Sequence, residues 1–245
     1  MDANYEPKYH RLERDHFWFQ GLHGLLTQLA ASEPKTARVL DIGCASGEML
    51  KALSAAGFSD VTGIDISERA VGLCRERGFT QVQVMDAAHP DFTGAVFDVI
   101  IAANIIEHIE DDEEALAQWR RILKPGGTLV VLTSAFMFLW SEHDRVNHHF
   151  RRYGRAELLD KLAAAGFALQ RVSYWNFFLL GPIVLARFLR KLLPSRAASA
   201  KDDLSLPPAW LNAVLTGLLR FENLLLRYIN LPWGVTIFAV AERER

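Results

Sequence analysis

The pattern that most restricts this chain is an alternation. From about residue 36 to residue 172, short apolar runs take turns with segments of helical spacing. ARVLDIG ends on Gly43, and GEMLKALSAAG follows at helical spacing with a glycine stop. VTGIDIS, QVQVMDA, FDVIIAAN, TLVVLTSA and FALQRVSYW read as further strands. Ser67 can cap the helix SERAVGLCRERG, and the acids that open DDEEALAQWRRILKPGG suit a helix N-terminus. Parallel strands need crossover connections, so the alternation implies an α/β fold: a parallel sheet with helices on both faces. Ligands on such sheets bind at the carboxyl ends of the strands, where the strand order reverses.

After Trp175 the composition changes. Residues 176–233 are rich in Leu, Phe and Pro and read as helical, and GVTIFAVAER then returns as a last strand. The expected division is an N-terminal cap helix region at 1–35, a core at 36–178 plus 234–245, and an amphipathic helical insertion at 179–233. In IVLARFLRKLL, Arg187, Arg190 and Lys191 share one helix face and the other face is apolar. From 209 to 230, Asn212, Thr216, Arg220, Asn223, Arg227 and Asn230 form a narrow polar stripe on a Leu-rich helix. PSRAASAKDDLSLPP between them reads as a connection. The insertion holds seven basic and three acidic residues, so it is +4 and the rest of this −2 chain is −6. Such a segment suits a membrane interface, a lipid-like acceptor, a homodimer contact or simple packing on the sheet.

A net charge of −2 excludes a basic footprint spread over the whole chain, so no nucleic-acid partner is expected. Cys44 and Cys74 make neither a disulfide framework nor a zinc spacing, and no metal site is expected. The N-terminus is charged and broken by Pro7, and no 18 uncharged apolar residues run together. The expected address is cytoplasmic, with peripheral contact to the inner face of a membrane as an option.

The sharpest local signal is Val39-Leu40-Asp41-Ile42-Gly43-Cys44-Ala45-Ser46-Gly47-Glu48, a strand entering a glycine-rich turn that opens a helix. Asp65 ends the next strand, where a carboxylate can accept from ribose hydroxyls. Asp86 ends the third and Asn104 the fourth. Pyrophosphate wants a positive, uncluttered helix N-terminus. Asp41 and Glu48 flank this one and suit a cationic ligand better, which ranks an NAD-dependent oxidoreductase second.

These pieces, with VTGIDIS, VQVMDAAHPDF, FDVIIAANIIEHIEDDEEALAQWRRILKPGGTLVVLTS and HHFRRYGRAELLDKLAAAGF, resemble class I S-adenosylmethionine-dependent methyltransferases of the small-molecule type, such as those of ubiquinone biosynthesis. The resemblance covers roughly residues 37–175 plus the last strand. It implies a Rossmann-like, seven-stranded, mostly parallel sheet, an antiparallel last strand, and a helical insertion between the last two strands. It implies S-adenosyl-L-methionine as cofactor, held by Asp41, Gly43, Cys44, Ala45, Gly47, Asp65, Ile66, Asp86, Ala87, Asn104 and Ile105. Ala45 departs from the family's usual glycine. His16-Phe17-Trp18-Phe19-Gln20 resembles the family's helix that folds over the cofactor, with Trp18 as a cap or else a core aromatic.

Transfer to a hydroxyl or amine benefits from a general base. Three histidines fall within Ser141–Tyr153, after the fifth strand. His149 or His143 is the expected base, with Asp144 orienting it; a solvated polar loop is the alternative. Some relatives bind a divalent metal through a Glu-His pair like Glu107-His108, but Asn104 stands where they carry another acid. Arg145, Arg151, Arg152 and Arg155 could grip an anionic group or pair with nearby acids. The expectation is methylation, at oxygen first, of a small, apolar or lipid-linked acceptor. A non-catalytic, cofactor-binding scaffold at a membrane is the non-enzyme alternative.

Overall fold

A computed structural model describes residues 6–192 and 206–244. One sheet runs through it in the order β3-β2-β1-β4-β5-β7-β6, with β1 at Arg38–Ile42, β2 at Asp60–Asp65, β3 at Val82–Val84, β4 at Phe97–Ala103, β5 at Leu123–Ser134, β6 at Phe167–Trp175 and β7 at Thr236–Arg243. β1 to β5 pair parallel, and β7 runs antiparallel between β5 and β6. The expected seven strands and antiparallel last strand are therefore present. KPGG is not a turn before β5. It bulges out at the strand's start, where the β4–β5 register jumps between Phe97 and Val99.

Strand side chains alternate between two buried layers. Leu40, Ile42, Ile100 and Val131 face Trp119 of α5 (Asp112–Ile122) and Leu158 of α7 (Arg155–Ala164). Val39, Val99, Ile101 and Leu132 face the other way. There they meet Leu25 and Leu26 of α2 (Phe17–Leu29), Leu53 of α3 (Glu48–Ala55) and Leu219 of α9 (Ala209–Leu225). α1 (Glu6–Asp15) precedes α2, and α4 (Glu68–Glu76) is capped by Ser67, whose Oγ accepts from the Ala70 amide at 3.1 Å. Asp111 caps α5 in the same way, accepting from the Glu114 amide at 3.0 Å.

The insertion consists of α8 (Phe177–Leu192) and α9. Arg196, Lys201, Asp202 and Asp203 lie outside the described residues, as do the side chains of Arg187, Arg190 and Lys191. α9 is no free arm, because Asn212, Thr216 and Asn223 of the polar stripe point toward the body, while Arg220, Arg227 and Asn230 stay exposed. Asn212 donates to the Asp15 carbonyl at 2.8 Å and accepts from the Phe17 amide at 2.9 Å. Asn223 donates to the Gly21 carbonyl at 2.8 Å and accepts from the Trp175 indole at 2.9 Å. Helices α2 and α9 approach so closely that a Cβ on Gly21 would lie 2.7 Å from a Leu219 methyl. Glu222, fully buried, accepts from the Phe177 and Phe178 amides and so caps the start of α8, where a negative charge is favoured.

Asn223→Leu would leave the buried Trp175 N–H without its partner and remove the second hydrogen bond to the Gly21 carbonyl. It should cost about 2–3 kcal/mol of stability, read from urea denaturation; a loss near zero would show that the stripe does not hold α9.

Candidate active site

The sheet order reverses between β1 and β4, so their carboxyl ends open onto one crevice. The turn after β1 needs left-handed backbone: φ is +78° at Gly43, +45° at Ala45 and +85° at Gly47. A Cβ at Gly43 would stand 2.1 Å from Cδ1 of Ile105, the second residue past β4, so the Ile105 side chain would have to turn away, and the positive φ itself favours glycine there. Ala45 adopts a conformation that costs an L-residue roughly 1–2 kcal/mol, which is where the departure from glycine is felt. The Asp65 carboxylate at the end of β2 accepts from the Ala45 amide at 3.0 Å and the Ser67 amide at 2.9 Å, tying the first two loops together. Cys44 is buried with its Sγ 4.0 Å from that of Cys74, and Cys74 donates to the Ala45 carbonyl.

Three acids bear on this turn, and one was not expected. Glu13 of α1 accepts from the Ser46 amide at 3.2 Å and the Ser46 hydroxyl at 2.5 Å. The only hint in the sequence was its place in the charged segment before the aromatic cap. Glu48 does not stand free: Arg77 pairs with it at 2.9 Å and Lys51 at 3.6 Å. Asp41 is buried, and among the described residues its Oδ2 has no hydrogen-bond partner. Burial, with the charges of Glu13 and Asp65, pushes its pKa up to about 8.

Further along the edge, Asp86 accepts from the Ala88 amide at 2.9 Å, and the Ala87 carbonyl accepts from the Trp119 indole at 2.8 Å. Asn104 follows β4 with φ +54°, its amide bonded to the Leu132 carbonyl. Ile66 is exposed. The fold thus gathers the turn, Asp65, Ile66, Asp86, Ala87, Asn104 and Ile105 along the carboxyl ends of adjacent strands. Trp18 packs in the α2 layer, against Phe19 at 5.0 Å and Trp175 at 5.8 Å between ring centres. From α1, Glu13 reaches the turn.

The segment after β5 folds around a buried carboxylate. Ser141 caps the short helix α6 (Glu142–Val146), its amide donating to Asp144 at 2.7 Å. Asp144 also accepts from His149 Nδ1 at 2.9 Å and Arg152 Nε at 2.7 Å. Burial opposes ionisation of Asp144, but the bonds from His149 and Arg152 outweigh it and hold the carboxyl well below the usual range. An ionised Asp144 can only accept, so His149 Nδ1 carries the proton and neutral His149 keeps Nε2 as its acceptor. The Phe150 amide donates to the Glu107 carbonyl at 2.8 Å, which brings the His108 and His149 rings to 4.5 Å. Burial and the neighbouring His149 push His108 down to about 4, so it stays neutral. His143 lies 6.0 Å from His149 and meets Asn147 rather than Asp144.

Three of the four arginines in the basic cluster form ion pairs, Arg145 with Glu142, Arg151 with Asp112 at 2.7 Å, and Arg152 with Asp144, while Arg155 is exposed. Glu107 is fully buried and accepts from the Thr133 and Ser134 hydroxyls. Among the described residues, no three His, Cys, Asp or Glu side chains gather as metal ligands.

A family model described as a methyltransferase domain matches residues 10–172. The chain belongs to this methyltransferase family. A ubiquinone biosynthesis O-methyltransferase of Aromatoleum aromaticum is 32% identical over 164 residues, covering 63% of this chain and 62% of that protein. The 27-O-demethylrifamycin SV methyltransferase of Amycolatopsis mediterranei is 34% identical over 119 residues, covering 44% and 43%. The chain thus spans less than two thirds of the length of these curated relatives. Among solved structures, a methyltransferase in complex with the Haloferax volcanii Trm112 activator superposes with a TM-score of 0.66 at 19% identity, over 99% of this chain and 95% of that one. The [4+2]-cyclase SpnF superposes at 0.58 and 21% identity, over 90% and 81%. These likenesses show the fold.

Asp41 is protonated in the free protein at pH values below about 8. Pairing with an ammonium group requires its carboxylate, so binding should release a proton. Affinity should then rise with pH, by up to about tenfold per unit below that pKa, and level off above it. Titration calorimetry with S-adenosylmethionine near neutral pH, in two buffers of different ionisation heat, reads the proton directly. Asp41→Asn should remove the buffer dependence; a wild-type enthalpy that is the same in both buffers would reject Asp41 as the anchor.

Proposed function

We propose that this family member is an S-adenosylmethionine-dependent methyltransferase that methylates an oxygen of a small, apolar or lipid-like acceptor in the cytoplasm. The Asp144–His149 pair carries the choice of oxygen. A hydroxyl must lose its proton as it attacks, and the pair supplies an oriented imidazole for that task. Several of the curated relatives are named as ubiquinone biosynthesis O-methyltransferases, which supports the same atom.

The cofactor fits the residues present. An unpartnered, buried Asp41 oxygen next to Glu13 suits an ammonium group. The Asp65 carboxylate, held at the end of β2 by the Ala45 and Ser67 amides, is the acceptor for the ribose hydroxyls. A pyrophosphate would meet the Glu13 carboxylate beside the N-terminus of α3, which counts against a dinucleotide. When bound, S-adenosylmethionine supplies an electrophilic methyl group on a sulfonium.

The chain's own part is positioning and proton removal. Gly43 and Ile105 set the distance between the two loops. His149 takes the acceptor's proton at Nε2 while Asp144 holds Nδ1 and stabilises the imidazolium that forms. Arg152 and Ser141 keep Asp144 in place and ionised. His143 and the neutral His108 shape the surroundings of His149.

Incubation with methyl-labelled S-adenosylmethionine and fractionated cell extract should put label into a methoxyl group of a solvent-extractable product. His149→Ala should lower kcat by roughly 10²–10⁴ with cofactor affinity unchanged, and Asp144→Asn should act in the same direction. Intact turnover in His149→Ala would remove the base. Cofactor binding without any labelled acceptor would favour a binding scaffold.

A further inference from the structure

The insertion is turned inside out. On α9 the buried positions are Thr216, Leu219, Glu222, Asn223 and Leu226, so polar groups fill much of the inward face. The opposite face carries Trp210, Val214, Phe221, Leu224 and Tyr228 at helical spacing, with Trp210 69% and Tyr228 80% exposed. α8 exposes Val184, Leu185, Phe188 and Leu189. The two helices join at Phe178 and Phe221, whose rings lie 6.0 Å apart. An open apolar groove of about 550 Å³ between α8 and Trp233 extends the surface. A helix in water puts its polar stripe outside. Here Asn212, Thr216 and Asn223 of the stripe are spent on internal hydrogen bonds and the greasy face is outside.

Charge selects what covers it. Among the described residues from 177 to 233, the one acid is Glu222, which is buried under α8, while Arg220 and Arg227 are exposed. The sequence of the insertion as a whole is +4. A second copy packed through a two-fold axis would set this basic surface against itself. An anionic bilayer complements it, and exposed Trp and Tyr are the side chains that settle at a headgroup boundary. We infer that the outer face of α8 and α9 docks on an anionic phospholipid surface, with Trp210, Phe221, Tyr228, Phe188 and Trp233 entering the interface. No helix among the described residues is long and apolar enough to cross a membrane, so the contact is peripheral.

The docked face is continuous with the candidate site. Trp233 packs 5.6 Å from Phe136, two residues past β5, and the Phe136 amide donates to the Tyr153 carbonyl at the end of the histidine loop. The inference does not depend on which atom is methylated.

Co-sedimentation of the full chain with vesicles tests it. Binding is expected to phosphatidylcholine vesicles that contain phosphatidylglycerol, at least about tenfold above pure phosphatidylcholine, and weakening with salt. Arg220→Ser should cost roughly fivefold in partitioning. Trp210→Glu with Phe221→Glu should abolish binding while the thermal midpoint and S-adenosylmethionine affinity hold. Brominated phosphatidylglycerol should quench wild-type tryptophan emission, a readout that needs no variant. Absent quenching and binding would overturn the inference. So would a vesicle-free dimer that the double substitution dissociates, because a second copy would then own the face.

Discussion

The parallel pairing of β1 with β4 is the constraint on which the site depends. Val39 to Ile42 lie beside Val99 to Ala102, although more than fifty residues of chain separate the strands. Both strands end at the same edge, and their loops leave it side by side. That is why Gly43 and Ile105 meet, with the Ile105 side chain filling the space beside the glycine. Asp65 then braces the turn from the β2 side, and Glu13 braces it from the N-terminal helix. Remove the pairing and the glycine-rich turn would be a turn with nothing opposite.

Buried carboxylates divide the labour by their surroundings. Asp144 is fully buried, yet three donors around it keep it ionised, so it can hold a histidine and accept the charge that appears there. Asp41 is buried with an oxygen left over and binds its own proton instead, ready to exchange it for a ligand's positive charge. Glu222 meets the open amides of a helix start, a structural task. The same side-chain chemistry therefore gives an orienting group, a cation anchor and a helix cap, according to what each oxygen touches.

The hydrophobic insertion follows a related economy. Its polar side chains hold α9 onto α2 and Trp175, because a buried indole or carbonyl must find a partner. Once they are used inside, apolar side chains with Arg220 and Arg227 make up most of the described outer face. The slightly positive mean hydropathy of the chain, +0.07, owes much to this segment.

Much of the core was legible in the sequence because strand and helix periods differ and glycine marks the turns. The alternation determined the parallel sheet, and the positions of Asp41, Asp65, Asp86 and Asn104 at strand ends followed from counting along the runs. The antiparallel last strand came with the family resemblance. What periodicity cannot supply is partners. It showed that Asn212, Thr216 and Asn223 share a face of α9, and only the packing of α9 on α2 decided that this face points inward. It placed Glu48 at the turn, and only the approach of Arg77 decided that its charge is taken. It could not bring Glu13 to Ser46, across a gap of thirty-three residues. The sequence by itself determined the elements and their ends, since those rest on local spacing. The tertiary structure alone decided which carboxylates stay charged and which face meets the outside, since both depend on neighbours that local spacing does not encode.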